Sequence, residues 1–381
     1  MKIKDICTSV TDGSHNPPQG IEKSEYMMLS SKNIFDDEIT FDEPRFLSQK
    51  DFEREHKRTK IAVGDVLLTI VGTVGRTAVV DEDMPAFALQ RSVAVLHPKN
   101  DVCLPRFLMY ALRGKRTYIE NRAKGVAQKG IYLKEVSDID IYIPDISNQE
   151  IIINKLDKVN AIIKLRQEEL LALDDLIKAR FVEMFGDPRS NPFGFEKKRL
   201  KDTCKVITGN TPSRAIEEYY GDYIEWIKTD NIVSGILNPT QATESLSEKG
   251  MNVGRTVEKD SILMACIAGS IASIGRVCIT DRTVAFNQQI NAVVPEQYNI
   301  LFLYVLFQMS KDYLVEDINM ALKGILSKSK LEEKEFIIPP MDLQEQFSDF
   351  VKQVDKSKVA VQKALDETQM LFDSLMQEYF R

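Results

Sequence analysis

Two long stretches of the chain carry apolar residues at alternating spacings of three and four. They cover residues 144–188 and 339–381, and each predicts one long amphipathic helix. A stripe held at this spacing for five heptads is typical of a helix that packs along a partner helix. We predict that the two helices pair as an antiparallel coiled coil; the alternative is that each packs only on its own domain. The predicted interface comprises Leu156, Val159, Ile163, Leu170, Leu173, Ile177, Val351, Val354, Val361, Leu365, Phe372 and Leu375.

Both helices have recognisable ends in the sequence. Ser147 and Asp342 each precede a glutamate by three residues, which is the spacing of a capping box and predicts that they begin the helices. Gly186 followed by Pro188 predicts that the first helix ends at Phe185. A helix of this length would extend about 57 Å at 1.5 Å per residue.

The helices belong to a larger internal duplication. With an offset of 195 positions, residues 144–185 align with residues 339–380 without a gap and with nine identities. The protein therefore consists of one unit of about 190 residues that occurs twice. Shorter matches continue the repeat toward the start of each copy: Gly75-Arg76 with Gly275-Arg276, Phe87…Gln90 with Phe286…Gln289, and Lys129-Gly130-Ile131 with Lys323-Gly324-Ile325.

The remainder of each copy alternates short β-rich runs with Gly and Pro. Runs at 66–71, 77–80, 92–96, 261–267 and 292–294 predict strands, and residues 106–112 and 300–308 predict short buried helices. We therefore predict an α+β fold, in which two mixed α/β domains at 1–143 and 189–338 are joined by the two long helices. The duplication implies that the two copies are related by a pseudo-two-fold axis.

Composition fits a globular protein of 381 residues with 43% apolar and 28% charged residues. The net charge of −7 lies mostly on the two helices, which carry −3 each, whereas the domains carry 0 and −1. Basic clusters occur at 113–129 and 197–205. Such clusters are suited to neutralising phosphates, and a solvated protein surface is an equally good explanation of either one alone.

The sequence offers no convincing catalytic or metal site. Five cysteines form no CxxC pair, there are three histidines, and neither a phosphate-binding loop nor a GxSxG motif occurs. Residues 16–19 read Asn-Pro-Pro-Gln, similar to a methyltransferase loop that grips a target amine, but Gln19 replaces the aromatic residue. With no signal sequence and no apolar segment of about 20 residues, we predict a cytoplasmic protein without a membrane partner.

These features together resemble the specificity subunit of a type I restriction–modification system, over essentially the whole chain. The order domain, helix, domain, helix is that of the family, whose two variable target-recognition domains are each followed by a long conserved helix. The matching motifs are Thr211-Pro212-Ser213 with Trp226-Ile227-Lys228-Thr229, Gly72…Gly75-Arg76 with Gly269…Gly275-Arg276, and Ile143-Pro144…Gln149-Glu150 with Ile338-Pro339-Pro340…Gln344-Glu345.

The resemblance implies a non-catalytic subunit that binds double-stranded DNA and reads a bipartite target. Modification (methyltransferase) subunits would methylate adenine with S-adenosylmethionine, and a restriction (translocase and nuclease) subunit would use ATP and Mg²⁺, so this chain would itself hold no cofactor and no metal. Two other classes remain open: a coiled-coil adaptor between proteins, and a DNA methyltransferase or nuclease whose site is unrecognised.

Polar loop residues are the candidates for reading DNA, because Arg and Lys pair with guanine and Asn and Gln pair with adenine. Each has a structural alternative, which is hydrogen bonding within its own domain. Trp226 is expected in the core. The candidates are Lys32, Asn33, Gln90, Arg91, Arg116, Lys124, Lys129, Arg214, Lys228, Asn231, Gln288, Gln289 and Lys323.

Overall fold

The computed structural model describes residues 1–125, 129–318 and 324–380. The chain forms two compact units. Unit 1 contains Met1–Arg166 and Ala364–Arg381, and unit 2 contains Gln167–Lys363. Each unit therefore combines one mixed α/β domain with a stretch of both long helices.

Unit 1 begins with a domain of short strands and helices, which leads into the first long helix. Its strands are β1 (Cys7–Asp12), β2 (Met27–Leu29), β3 (Ile34–Phe35), β4 (Glu38–Ile39), β5 (Arg45–Phe46), β6 (Val66–Thr69), β7 (Thr77–Val79), β8 (Phe87–Leu89) and β9 (Val93–Pro98). Its helices are α1 (Ile3–Ile6), α2 (Gln49–Thr59), α3 (Pro105–Gly114), α4 (Arg116–Arg122) and α5 (Leu133–Ser137), followed by the long helix α6 (Ile146–Phe185).

The second copy of the domain, in unit 2, leads into the second long helix. Its strands are β10 (Lys197–Arg199), β11 (Cys204–Thr208), β12 (Tyr220–Gly221), β13 (Ile224–Ile227), β14 (Ser245–Leu246), β15 (Thr256–Val257), β16 (Ile262–Ala265), β17 (Ile267–Ala268), β18 (Val277–Ile279), β19 (Val284–Phe286), β20 (Ile290–Pro295), β21 (Gly324–Ile325) and β22 (Glu335–Ile337). Its helices are α7 (Glu248–Val253), α8 (Ile300–Met309), α9 (Lys311–Val315), α10 (Lys328–Glu333) and the long helix α11 (Met341–Phe380).

The two domains are built on the same antiparallel sheet. The strand order is β1-β9-β6-β7 in unit 1 and β11-β20-β16-β18 in unit 2. A second sheet in each unit contains a parallel pair, β2 with β8 and β13 with β19. The predicted strands and the buried helices α3 and α8 are present, so the α+β prediction of two mixed domains with two long helices is confirmed.

Both long helices have 40 residues. The predicted end of α6 is confirmed, because Gly186 follows it with φ of 70° and donates its N–H to Val182. The predicted capping boxes are wrong. The Asp145 carboxylate accepts the Asn148 N–H at 2.9 Å, so α6 begins before Ser147. This hydrogen bond holds the pKa of Asp145 below its usual range.

The second long helix also begins earlier than its sequence pattern predicts. Helix α11 starts at Met341, and the carbonyl of Pro340 accepts the N–H groups of Leu343 and Gln344. Asp342 therefore lies within the first turn instead of capping it. The physical reason is that the carbonyl of Pro340 already accepts the first N–H groups of the helix, so the helical hydrogen bonds begin one turn before Glu345.

A buried glutamine fastens each long helix to the short helix of its domain. The Gln149 side chain accepts the N–H of Leu104 at 2.8 Å and donates to the carbonyl of Val102 at 2.9 Å. Gln344 accepts the N–H of Asn299 at 2.9 Å in the same way. Both glutamines lie at the start of their helix, so the direction of each helix is fixed relative to its domain.

Each unit builds its core from both long helices. In unit 1, Phe380 of α11 packs on Phe107 of α3 with ring centroids 5.3 Å apart. In unit 2, Phe181 of α6 packs on Phe302 and on Phe347 of α11. Packing of each helix on its own domain alone is therefore excluded. All twelve residues of the predicted helix interface are buried or half-buried.

Within unit 2 the two helix stretches run in opposite directions. Asp174 of α6 pairs with Lys358 of α11 at 2.6 Å, and seven residues later Phe181 meets Phe347. In unit 1, Lys155 near the start of α6 donates to the hydroxyl of Tyr379 at the end of α11. Among the residues that the structure describes, no helix is long and apolar enough to cross a bilayer.

Candidate nucleic-acid interface

Four segments of unit 1 meet at one end of its central sheet. Ser14, just after β1, donates its N–H to Leu89 at 2.7 Å, and Arg91 returns a bond to the carbonyl of Ser14. The N–H of Ile70 reaches Ser92, and the carbonyl of Ile70 accepts from Ile131. We call the exposed side of residues 12–15, 70–72, 90–92 and 129–132 surface 1.

The corresponding segments of unit 2 meet in the same way. Asn210, just after β11, donates its N–H to Phe286 at 3.2 Å. Cys266 donates to the carbonyl of Gln289 and accepts the N–H of Leu326, both at 2.8 Å. We call the exposed side of residues 208–211, 266–269, 287–289 and 324–327 surface 2.

A glycine makes this meeting possible in both units. A Cβ on Gly13 would lie 2.1 Å from the carbonyl oxygen of Leu89, and a Cβ on Gly209 would lie 2.1 Å from that of Asn287. Any side chain at either position would collide with backbone. The two surfaces therefore share one backbone design, and their side chains can differ.

The parallel strand pairs fix which residues of the two surfaces correspond. Leu29 pairs with Leu89, and Ile227 pairs with Phe286. Leu89 is therefore the counterpart of Phe286, which corrects the sequence match of Phe87…Gln90 with Phe286…Gln289 by two residues.

With this correction, Arg91 of surface 1 corresponds to Gln288 of surface 2. Gln90 corresponds to Asn287, and Ser92 corresponds to Gln289. One basic and one neutral side chain thus occupy the same place on the two surfaces.

Surface 1 brings together several predicted DNA-binding residues. Arg91 and Lys124 are exposed and line one cavity with Asp12 and His15. Lys129 is exposed at the edge of the same segment. Gln90 lies beside them and is half-buried.

Two other predicted residues of unit 1 are engaged in ion pairs. Lys32 is exposed and lies 3.6 Å from Glu43. The guanidinium of Arg116 bonds to Asp36 and to the carbonyl of Gly75 at 3.1 Å. Arg116 therefore braces the glycine loop, and Lys32 retains an exposed ammonium group.

Surface 2 is mainly neutral. Thr211 donates its hydroxyl to the exposed side chain of Gln288, and Gln289 accepts a hydrogen bond from the Asn287 side chain at 3.2 Å. Lys323, also a candidate, lies outside the described residues.

Next to surface 2, one carboxylate holds two cations. Glu244 pairs with Arg214 at 2.7 Å and with Lys228 at 2.6 Å, and these bonds, chiefly that from Lys228, hold the pKa of Glu244 below its usual range. The Arg214 guanidinium lies 4.5 Å from the ring centroid of Tyr220. Trp226 is buried beneath them, which confirms its expected place in the core.

Two of the predicted asparagines are buried and hold backbone turns. Asn33 is 1% exposed and Asn231 is 7% exposed. Their side-chain oxygens accept the N–H of Ser30 at 3.1 Å and of Lys228 at 2.9 Å, respectively. Each closes a short 3₁₀ turn after a strand, a use of Asn that competes with exposure.

Some cations of the two basic clusters pair with carboxylates within the fold. Arg113 lies 4.0 Å from Asp36, and Arg199 lies 3.3 Å from Glu333, which also pairs with Lys201.

No activated nucleophile is found among the cysteines. All five are buried, and burial raises the pKa of each thiol, as for Cys7 and Cys266, to about 12. In the described ranges, no cluster of three His, Cys, Asp or Glu side chains is arranged to bind a metal ion.

Asp12, His15 and Arg58 lie at surface 1 or beside it and were not among the residues predicted from the sequence. Asp12 accepts from His15 at 2.7 Å and from Arg58 at 3.1 Å. A detectable signal existed, since His56, Lys57 and Arg58 form a basic run, but only the fold brings the end of α2 beside β1.

Known proteins share this organisation. A family model described as the type I restriction modification DNA specificity domain matches residues 1–174 and 192–368. The HindI specificity subunit of Haemophilus influenzae is 24% identical over 334 residues, which is 67% of this chain and 72% of that protein. The EcoBI specificity subunit of Escherichia coli is 28% identical over 158 residues, 41% of this chain and 32% of that protein.

A solved structure has the same fold. The S subunit of the type I restriction–modification system from M. genitalium superposes with a TM-score of 0.59 at 14% identity, covering all of this chain and 95% of that one. Because one family model accounts for both copies of the repeat, this chain belongs to the family of type I restriction modification DNA specificity domains.

Proposed function

We propose that this protein is the DNA-recognition subunit of a type I restriction–modification complex and that it reads a bipartite target. The observation that carries this proposal is the pair of surfaces with one backbone design and different side chains. A scaffold of this kind suits the reading of two different half-sites, because loop side chains that contact base edges determine sequence.

The chemistry would belong to partner subunits. Modification subunits would supply S-adenosylmethionine and methylate adenine, and a restriction subunit would supply ATP-driven, Mg²⁺-dependent cleavage. This chain would contribute target choice alone.

Among the predicted residues, nine that are exposed or half-buried form the proposed interface. They are Lys32, Gln90, Arg91, Lys124 and Lys129 of unit 1 and Arg214, Lys228, Gln288 and Gln289 of unit 2. Lys323 is retained as a prediction. Arg116 would act by bracing the glycine loop instead of touching DNA.

A domain exchange tests the proposal. Residues 189–338 are replaced by the corresponding domain of another specificity subunit, and methylated adenines are mapped across the genome of cells that carry the modification subunits. We expect one half of the methylated target to change and the other half, read by surface 1, to stay the same. A change in both halves, or in neither, would contradict the two-surface proposal.

Two further measurements separate the other classes of protein. A protein–protein adaptor would show no preference between genomic target and random DNA in competition binding. A methyltransferase would bind S-adenosylmethionine as the purified chain, for which we expect no binding in calorimetry.

A further inference from the structure

The last turn of helix α2 brings a group of cations beside surface 1. Arg58 forms an ion pair with Asp12 at 3.1 Å, and the same carboxylate accepts from His15 at 2.7 Å. Asp12 is 8% exposed at the end of β1, so its position is fixed by the sheet. The Nδ1–H of His56 donates to the carbonyl of Phe87 at 3.1 Å, which holds α2 against β8.

The other cations of this turn are exposed and unpaired. Lys57 follows His56 on α2, and Lys60 lies just beyond the helix end with φ of 51°. Both are exposed, and neither forms an ion pair with a side chain in the parts of the chain that the structure describes. Unpaired exposed cations are the groups that DNA phosphates attract most strongly, because no internal partner must be lost.

The cavity of surface 1 continues this positive character. Its lining includes Arg91, Lys124 and His15, and Asp12 is its one acidic residue. Since Asp12 already holds Arg58 and His15, it does not offset the charges of Arg91 and Lys124. A row of cations therefore borders surface 1 on the side of α2.

In the described part of unit 2, the counterparts of the residues that organise this group are different. The counterpart of Asp12 is Thr208, which donates to the Asn291 side chain at 2.7 Å, and the counterpart of Arg91 is the neutral Gln288. The helix that corresponds to α2 is α7, which has six residues compared with eleven. Its Lys249 is already paired with Glu218.

We propose that Lys57, Arg58 and Lys60 bind backbone phosphates beside the half-site that surface 1 reads. Asp12 is a positioning residue in this group, because it holds Arg58 next to His15. The binding of DNA by unit 1 therefore depends more strongly on salt than the binding by unit 2. This inference rests on the proposed function.

The test compares two variants with the same change in charge. In the full chain, Lys57→Ala/Arg58→Ala/Lys60→Ala removes the α2 cations, and Lys249→Ala/Arg255→Ala/Lys259→Ala removes three exposed cations around α7. Binding to a 30-base-pair duplex of random sequence is measured between 50 and 300 mM salt. The slope of log affinity against log salt changes by about 0.9 for each phosphate contact.

We expect the α2 variant to reduce the magnitude of this slope by about 2 to 3, and the α7 variant to change it by less than about 1. Lys57→Arg/Lys60→Arg should restore the wild-type slope. Equal changes in the two Ala variants would overturn the proposal, because overall charge would then explain the effect.

A second variant tests the positioning role. Removing a negative charge near DNA, as in Asp12→Asn, would by overall electrostatics tighten binding. If Asp12 positions Arg58, the variant instead binds the duplex several-fold more weakly; binding that is unchanged or tighter excludes this role.

A purely structural role of the cations has a different signature. Cations in the last turn stabilise a helix through its dipole. Loss of that role would lower the melting temperature of the α2 variant and leave the salt slope at its wild-type value, which would also overturn the proposal. If the wild-type chain with its modification subunits binds no duplex at all, the proposed function fails; wild-type binding with an unchanged slope in the α2 variant removes only this inference.

Discussion

The two units hold the same turn against a long helix by different means. In unit 1, the turn between β3 and β4 presents Asp37, with φ of 62°, whose carboxylate accepts from Asn160 at 2.8 Å and pairs with Arg106 at 3.1 Å. In unit 2, the corresponding turn has Gly235, with φ of 81°, and its carbonyl accepts from Lys358 at 3.4 Å.

The residues around this turn are charged or polar in unit 1 and apolar in unit 2. Arg106 also forms a forked pair with Asp157, whose carboxylate accepts the hydroxyl of Tyr110 at 2.6 Å. The counterparts of Arg106 and Tyr110 in unit 2 are Leu301 and Val305. A cavity of about 370 Å³ opens there, beside Asp174, Asp355 and Lys358.

The difference shows how one scaffold tolerates divergence. Unit 2 contains an aromatic cluster, in which Phe181, Phe185, Phe302 and Phe347 pack together with centroid separations of 4.9 to 6.4 Å. Unit 1 has an ion-pair network, which fixes geometry but contributes less net stability because charges must leave water. The turn is thus held by an ion-pair network in unit 1 and by a single backbone hydrogen bond from Lys358 in unit 2.

The largest effect is expected from breaking the network of unit 1. Arg106→Leu, which introduces the residue of unit 2, leaves Asp37 and Asp157 without their shared cation. Loss of one partner of a buried pair costs about 3–5 kcal/mol, and Arg106 is one-third exposed, so we expect about 3 kcal/mol. Hydrogen exchange should speed up in β3, β4 and α3, and not in unit 2.

The matched control changes the same position of unit 2. Leu301→Met keeps the volume and the apolar character and should cost less than about 1.5 kcal/mol. A cost equal to that of Arg106→Leu would show that the position is sensitive to packing in both units, which would contradict the contrast drawn above.

The next effect comes from the feature that the units share. Gln149→Met and Gln344→Met each remove a buried amide and leave the N–H of Leu104 or Asn299 unpaired. An unsatisfied buried donor costs about 1–3 kcal/mol, so we expect about 2 kcal/mol in each variant. Thermal unfolding of both variants should show equal losses; a loss in one alone would mean that the two helix starts are held differently.

The fold was largely predictable from the sequence because it is encoded twice. Long apolar stripes and short β-rich runs gave the helices, the strands and the two domains, and Gly186 gave the end of α6. The helix starts were not predictable from spacing alone. Whether Asp145 or Ser147 caps α6 depends on the backbone conformation after the preceding proline. The spacing of residue types along the sequence does not reveal that conformation.

The site was only partly predictable, for a physical reason. Exposed candidates such as Arg91 and Lys124 do lie together. Asn33 and Asn231 have the same amide chemistry, yet they are buried in turns, and sequence cannot distinguish a base-reading Asn from one that closes a turn. Arg58 was missed because its proximity to Asp12 arises from contacts 46 residues apart.

A smaller effect should make the stability of the sheet in unit 1, and not in unit 2, depend on pH. In unit 1, His97 pairs with Asp65 at 2.7 Å, and this hydrogen bond, partly offset by burial, raises the pKa of His97. The strand register places Val294 and Ser261 at these positions in unit 2. The stabilisation is therefore complete below the ordinary pKa of about 6.5 and is lost as pH rises through the raised value.

We expect the sheet of unit 1 to lose about 1 kcal/mol across this range while that of unit 2 stays constant. Hydrogen exchange of β6 and β9, compared with β16 and β20, measures the difference after correction for the intrinsic pH dependence of exchange. Asp65→Ser/His97→Val, which installs the residues of unit 2, should remove the pH dependence; its persistence would assign the effect to another group.

The smallest effect concerns the cavity of unit 2. Asp355 lies beside it at the position that Asn160 occupies in unit 1, and burial, with a further contribution from Asp174, raises its pKa against the opposing effect of Lys358. A carboxyl whose pKa is higher in the folded state destabilises the protein above that pKa, and the penalty vanishes below the unfolded value. Asp355→Asn should therefore stabilise unit 2 by about 0.5 kcal/mol at pH 7. Because both proteins carry a neutral group at this position in acid, the free energies of unfolding of wild type and variant should converge as pH falls toward about 3.5.

Lys352→Gln, an exposed change on the same helix, serves as the control. It should leave the stability at pH 7 within about 0.5 kcal/mol of wild type, with no convergence of this kind. A stabilisation by Asp355→Asn that stayed constant down to acid pH would assign the gain to packing of the amide in the cavity, and the charge difference between the two helix positions would then have no energetic consequence.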